Sequence, residues 1–206
     1  MSKLRELRFG KKQKPDVIDP RAYSRDGYLI HQGRLSGVRY GRKTSKEIGC
    51  GWIACYNFLK YMGCPEDPLK IAWNLEGKLL WGGYLGSHPL VVWWYLHRRG
   101  FSFDVAITRR GMERLVRRAV TEHPTQLVGV LAYIHKKGAH YTTFIDEGSY
   151  QRALGVESPD TSLVQKEPRV RFLNAVYGVE NHCITVKEFF KKYVSFPLCI
   201  VMVAKK

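Results

Sequence analysis

Long apolar runs are missing from this chain: nowhere do about 18 consecutive apolar residues occur, which excludes a helical membrane span. The basic start, MSKLRELRFGKKQKPD, has no apolar stretch behind it, so no signal peptide is expected and the expected location is the cytoplasm. Closely spaced cysteine pairs are missing too. The five cysteines, at 50, 55, 64, 183 and 199, are odd in number and scattered, which argues against a disulfide scaffold and for a reducing compartment. No CxxC nominates a zinc site, and neither a metal nor an organic cofactor is expected. Strands do not alternate with helices in the βαβ manner, which excludes a Rossmann-like sheet, and there are no internal repeats.

Acidic residues are scarce: 18 against 34 lysines and arginines, for a formal net charge of +16. Such a balance attracts polyanions without sequence preference. The charge is spread over the N-terminal arm, Arg39 to Lys46, Arg109 to Arg118 and Lys136-Lys137, with no nucleic-acid module signature beside it. Nothing in the pattern sets an oligomeric state.

What is present has the balance of one globular domain, 206 residues with 45% in the hydrophobic class. Residues 1–27 read as a basic arm and 28–206 as the domain. Tyr28 to Tyr40 has a strand-like pattern with glycines at 33, 37 and 41, consistent with a hairpin. A helix is predicted from Cys50 to Met62, stopped by Gly63 and Pro65. It is apolar on nearly every face, the mark of a buried central helix. Further helices are predicted from Pro68 to Glu76, from a Ser87 N-cap through Pro89 to Arg99, and from Met112 to Val120. Strands follow at 101–107, 126–135, 139–146, 170–177 and 198–204, with a helix at 185–193 before the last. Helices first and an antiparallel sheet second give an α+β fold, with a helical half packed on a sheet half.

Three short stretches can carry chemistry. In Gly49-Cys50-Gly51-Trp52, a cysteine opens the buried helix, where backbone N–H groups and the helix dipole favour a thiolate and can bind an oxyanion. Gly49 lets the chain turn into the helix, and Gly51 leaves room for a substrate backbone. In Gly138-Ala139-His140-Tyr141, a histidine stands at a strand start after a tight turn, placed to serve as base. Asn174 interrupts the apolar run of Arg171 to Tyr177; its side-chain oxygen could accept from the imidazole and fix the tautomer, with Asn181 and Asp146 as rivals.

Cys50-Gly51, Ala54, Asn57 and Leu59 stand in the order Cys-Gly-x-x-Ala-x-x-Asn-x-Leu, which resembles the nucleophile helix of papain-like cysteine peptidases of the bacteriocin-leader-processing, or double-glycine, type. The resemblance spans roughly residues 28–203 and implies a papain-like α+β fold with Cys50 as nucleophile, His140 as base and Asn174 as orienter. It implies a peptide or protein substrate cleaved at an amide bond through an acyl-enzyme. The chain departs from that pattern in one place. The family's oxyanion glutamine, about six residues before the cysteine, is replaced by Thr44, with Ser45 beside it. The oxyanion role then falls to one of these hydroxyls or to Gln32, farther upstream, if the hairpin folds over the site. Two alternatives stand beside this reading: an NlpC-type cell-wall amidase or acyltransferase, and a non-catalytic binding module on the same fold.

Overall fold

The computed structural model describes residues 16–83, 86–122, 127–136, 138–146, 168–175, 182–196 and 198–205. The arm at 1–15, the polar stretch 147–167 and Asn181 lie outside them.

The chain is α+β, and its elements divide as the sequence suggests. Helix α1 (Ser45–Ile48) leads through Gly49 into α2 (Cys50–Tyr61), followed by α3 (Pro68–Glu76) and α4 (Pro89–His97). Strand β3 (Ser102–Thr108) comes next, after a two-stranded hairpin of β1 (Arg39–Tyr40) and β2 (Lys43–Thr44) near the start. Helix α5 (Arg109–Glu122) precedes β4 (Val128–His135), β5 (Gly138–Asp146), β6 (Arg169–Leu173) and β7 (His182–Thr185). Helix α6 (Val186–Tyr193) and strand β8 (Leu198–Lys205) close the fold. The large sheet is antiparallel throughout, in the order β3-β8-β4-β5-β6-β7. The crossover places β8 in the middle of the sheet, between β3 and β4.

Helix α2 is central because it has no polar face to offer water: every residue from Cys50 to Leu59 is buried. It packs on β5 and β4 of the sheet and on α3 and α4 from the other side. The opposite face of the sheet carries a second core, where Phe172 and Phe189 stack with ring centres 3.8 Å apart beneath α5 and α6. Helix α6 starts where the sequence places it, because Thr185 and Glu188 close a capping box. Helix α5 buries Met112 and Val116 and turns its arginines outward.

Two expectations fail in instructive ways. The stretch 28–40 is not a strand run. After a lone bridge between Tyr23 and Leu29, a 3-10 helix spans Gln32–Gly37, and the hairpin is the short β1–β2 pair around Gly41 (φ 65°). Its backbone partner is a side chain of α2: Asn57 accepts from the Leu29 N–H and donates to the Leu29 carbonyl, both at 2.9 Å. With those groups satisfied by a helix, no neighbouring strand is needed. The second failure is at β6, which ends at Leu173 and not at 177, because Asn174 turns to φ 59°. Asparagine is among the few residues that tolerate this left-handed conformation.

The described part of the N-terminal stretch joins the body of the protein. The Val17 N–H donates to the Gly37 carbonyl, Asp16 accepts from the Arg39 N–H and from Trp73 Nε1, and Ala22 is fully buried.

Candidate active site

A cavity of about 640 Å³ opens where the N-terminus of α2 meets the edge of the β4–β5 hairpin, and its wall includes Cys50, His140, Asn174, Gln32 and His135. Three of the predicted residues and one of the three proposed oxyanion residues thus share a single cleft between the two halves. Thr44 and Ser45 are not on its wall. Thr44 caps α1 in a box with Glu47, and the Ser45 hydroxyl accepts from Trp52 Nε1 at 3.0 Å. The Thr44 hydroxyl thus serves the short helix that leads into Cys50, and the Ser45 hydroxyl ties that helix to α2.

Cys50 begins α2, as expected, but burial decides its acidity. Enclosure pushes its thiol up to about 11, against the pull of the Tyr141, Gly51 and Cys50 backbone amides, which favour the thiolate. The expected lowered thiol pKa is therefore not what the resting site has. Cys55, five residues on, is fully buried in the core, and burial pushes its thiol higher still. The amide of Tyr141 in that set ties the sulfur to the strand of the histidine, one residue from His140.

The flanking glycines are required by close approach, not by backbone angle. A Cβ on Gly49 would meet the Ser45 carbonyl at 2.5 Å, and one on Gly51 would meet the Ser87 side chain at 2.8 Å. The space over Gly51 thus belongs to Ser87, whose hydroxyl pairs with the Tyr40 hydroxyl, and not to a substrate backbone. Ser87 is correspondingly not the cap of α4; that is His88.

His140 sits in β5 with its Nε2 2.7 Å from the backbone carbonyl of Asn174. A carbonyl only accepts, so Nε2 carries the hydrogen and, in the neutral ring, Nδ1 is the basic nitrogen. Burial pushes the imidazole down to about 4, partly opposed by the Asn174 carbonyl, with the neighbouring His135 adding to the depression. The resting pair is a neutral thiol and a neutral imidazole. No hydrogen bond joins Cys50 to His140 here, though both line the cavity.

Asn174 has a different job from the one its side chain suggested. Its backbone carbonyl meets the imidazole, while its side chain clasps Gln32: Oδ1 accepts from the Gln32 N–H and Nδ2 donates to Gln32 Oε1, both at 3.2 Å. The left-handed turn at Asn174 lets one residue do both. Gln32 completes its own bonding by donating from Nε2 to the Lys46 carbonyl at 3.2 Å, which leaves the amide a second N–H. The rival Asp146 is at the far end of β5, buried and accepting from the Tyr61 hydroxyl and the Leu127 N–H. It is not part of this site.

His135 is a cavity residue that the sequence reading passed over. Its ring centre is 6.0 Å from that of His140, edge to face. The hairpin register pairs Tyr133 with His140 and His135 with Gly138, so the two histidines are diagonal neighbours on one face.

The acidity of His140 gives a testable linkage. Its folded value, about 4, lies below the ordinary 6.5, so the unfolded chain takes up a proton that the folded protein refuses. Stability should be full above pH 6.5 and decline as pH falls towards 4, by up to about 3 kcal/mol from this group alone. Urea unfolding at pH 7 and pH 4.5 should show a smaller difference in His140→Gln than in the wild type. An equal difference would remove His140 as the source.

No family model matches the chain, and no curated protein matches it. Among solved structures it is similar to the G161 variant of the Salmonella effector SpvD, at a TM-score of 0.49 and 10% identity, covering 95% of this chain and 84% of that one. The functional reading therefore draws on the site itself. No helix among the described residues is long and apolar enough to cross a membrane.

Proposed function

We propose that the protein is a papain-like thiol hydrolase that cleaves a peptide or other amide bond through an acyl-enzyme on Cys50. The observation that carries this reading is the one cavity that gathers a helix-N-terminal thiol, an imidazole of defined tautomer and a glutamine amide. Because thiol and imidazole are both neutral at rest, His140 Nδ1 removes the proton as the sulfur attacks the carbonyl carbon. The ring then donates that proton to the leaving amine, which departs as the acyl thioester forms. Water, deprotonated by the same nitrogen, releases the acid and restores the thiol. The Asn174 carbonyl stabilises the transient imidazolium through Nε2–H. The sulfur–imidazole hydrogen bond, absent at rest, forms as the substrate is engaged, as resting sites often require.

Gln32 takes the oxyanion role, reached by the fold from 18 positions upstream and not from the usual six. Gln32→Ala should lower turnover of p-nitrophenyl acetate about 10²-fold, as loss of one oxyanion donor does. Asn174→Gly keeps the left-handed turn and the carbonyl but loses the clasp, so its loss should run through Gln32. The double variant should then be no slower than Gln32→Ala. Multiplying losses would show that the two side chains act separately.

The absence of a hydrogen bond between Cys50 and His140 favours one other reading, a binding cleft without catalysis on the same scaffold. The ester assay separates the two, since a binding cleft gives no Cys50-dependent turnover. The cytoplasm as its location, and weak attraction of the basic surface to polyanions, are part of the proposal.

A further inference from the structure

The wall of the cavity is unevenly charged. Arg34, from the 3-10 helix after Gln32, and Lys46, from α1, both line it and both are exposed. Lys136 stands at the turn between two other lining residues, His135 and Ala139. Among the described residues no ion pair within 4.0 Å engages any of these three cations; Arg34 acts on Asp19, whose carboxylate is bonded to Arg21, and Lys46 on Glu47, only at longer range. One carboxylate, Glu47, shares the wall, and its Oε2 is turned to the Thr44 N–H and hydroxyl, away among residues that do not line the cleft. The Thr44 bonds hold Glu47 below the usual carboxylate range, so it stays a capping anion and never a free base for the site. The amides around the Cys50 sulfur add positive potential at the cavity floor.

Resting on the thiol-hydrolase reading, we propose that the cleft selects a peptide carrying a carboxylate beside the scissile amide, held by Arg34 and Lys46. Both cations sit on the helical wall, on the same side as Gln32, so the carboxylate lies on the oxyanion side of the sulfur and not against the His135–His140 wall. Guanidinium and ammonium differ in use here. Arg34 offers a two-pronged fork to a carboxylate, and Lys46 a point charge that deepens the attraction.

The test needs no known substrate. Iodoacetate and iodoacetamide alkylate the same sulfur with loss of iodide and differ only in carboxylate against amide. Their rate ratio cancels the fraction of thiolate. Peptide mass spectrometry reads that ratio at Cys50 and, in the same molecules, at the exposed Cys64, which reports the effect of the overall charge. At low salt the iodoacetate-to-iodoacetamide ratio should be roughly five- to tenfold higher at Cys50 than at Cys64, and it should collapse towards the Cys64 value at about 0.5 M salt. Arg34→Gln and Lys46→Gln should each lower the Cys50 ratio about twofold while leaving Cys64 unchanged. Equal ratios at the two cysteines, or no response to either substitution, would overturn the anion preference and leave the hydrolase reading standing if Cys50-dependent ester turnover persists. Complete resistance of Cys50 to both reagents, with Cys64 fully labelled, would overturn both.

Discussion

Cys50→Ala should abolish ester and amide turnover, by at least about 10³-fold, because Cys50 is the one thiol among the described residues of the cavity wall and the imidazoles and lysine beside it are much weaker acyl acceptors for an amide. The substitution removes one sulfur from a site that is already buried, so the fold should survive with a cost of about 1 kcal/mol. Cys55→Ala makes the control. That residue is equally buried in α2, but lies about 140° round the helix and about 7.5 Å further along, so it cannot share the site. It should lose stability on the same scale and keep its activity. Cys50→Ser is the subtler case: a hydroxyl has nearly the same shape but is a far weaker nucleophile beside an imidazole held near 4. It too should be inactive. Activity retained in Cys50→Ala, with circular dichroism unchanged, would contradict catalysis by Cys50, whereas a wild type no faster than buffer would leave the non-catalytic cleft as the surviving reading.

Asn57→Leu should destabilise the protein by about 3–5 kcal/mol, corresponding to a fall of roughly 6–20 °C in Tm. Asn57 is fully buried, and its amide satisfies both backbone groups of Leu29, which is itself buried. Leucine keeps the volume and the apolar packing but leaves an N–H and a carbonyl with no partner in a dry core. The consequence reaches the site through the chain, since Leu29 is three residues before Gln32. Release of this anchor should therefore lower turnover as well as stability. A loss below about 1 kcal/mol would mean that the segment finds other partners.

Helix α2 could be read from the sequence because every local signal agrees there: a glycine-flanked start, apolar residues on all faces, and Gly63 and Pro65 at the end. The sequence also located α3 from Pro68 and a helix from 185, and the structure shows why they start there, with Asp67 capping the first and a Thr185–Glu188 box the second. The short alternating strands of the sheet were visible by their period. The stretch 28–40 was not, because its conformation is imposed by Asn57 across 28 positions of sequence, and no local pattern encodes that. Strand β7 was missed for a similar reason: four residues pairing with β6 make too short a run to stand out.

The site divides along the same line. Cys50 and His140 announce themselves through residue type and position, and the cavity contains both. The Thr44-x-x-Glu47 spacing already spelled a capping box, a local signal that competes with an oxyanion role and wins. Asn174 was visible as an oddity in an apolar run, but not the exchange of roles between its carbonyl and its side chain. A backbone carbonyl has no letter in the sequence. The acidity of Cys50 was misjudged because the helix dipole can be read from position, whereas burial of the thiol is a property of the packed molecule.

The most direct measurement is peptide-resolved mass spectrometry of the protein quenched during turnover of p-nitrophenyl acetate, with wild type, Cys50→Ala and His140→Ala side by side. The wild type should carry its transient acetyl group on Cys50 and release it, His140→Ala should acquire it slowly and lose it more slowly still, and Cys50→Ala should show no turnover. Acetyl transfer confined to the exposed Cys64 or to surface lysines, with equal ester loss in all three proteins, would contradict catalysis by Cys50 and His140.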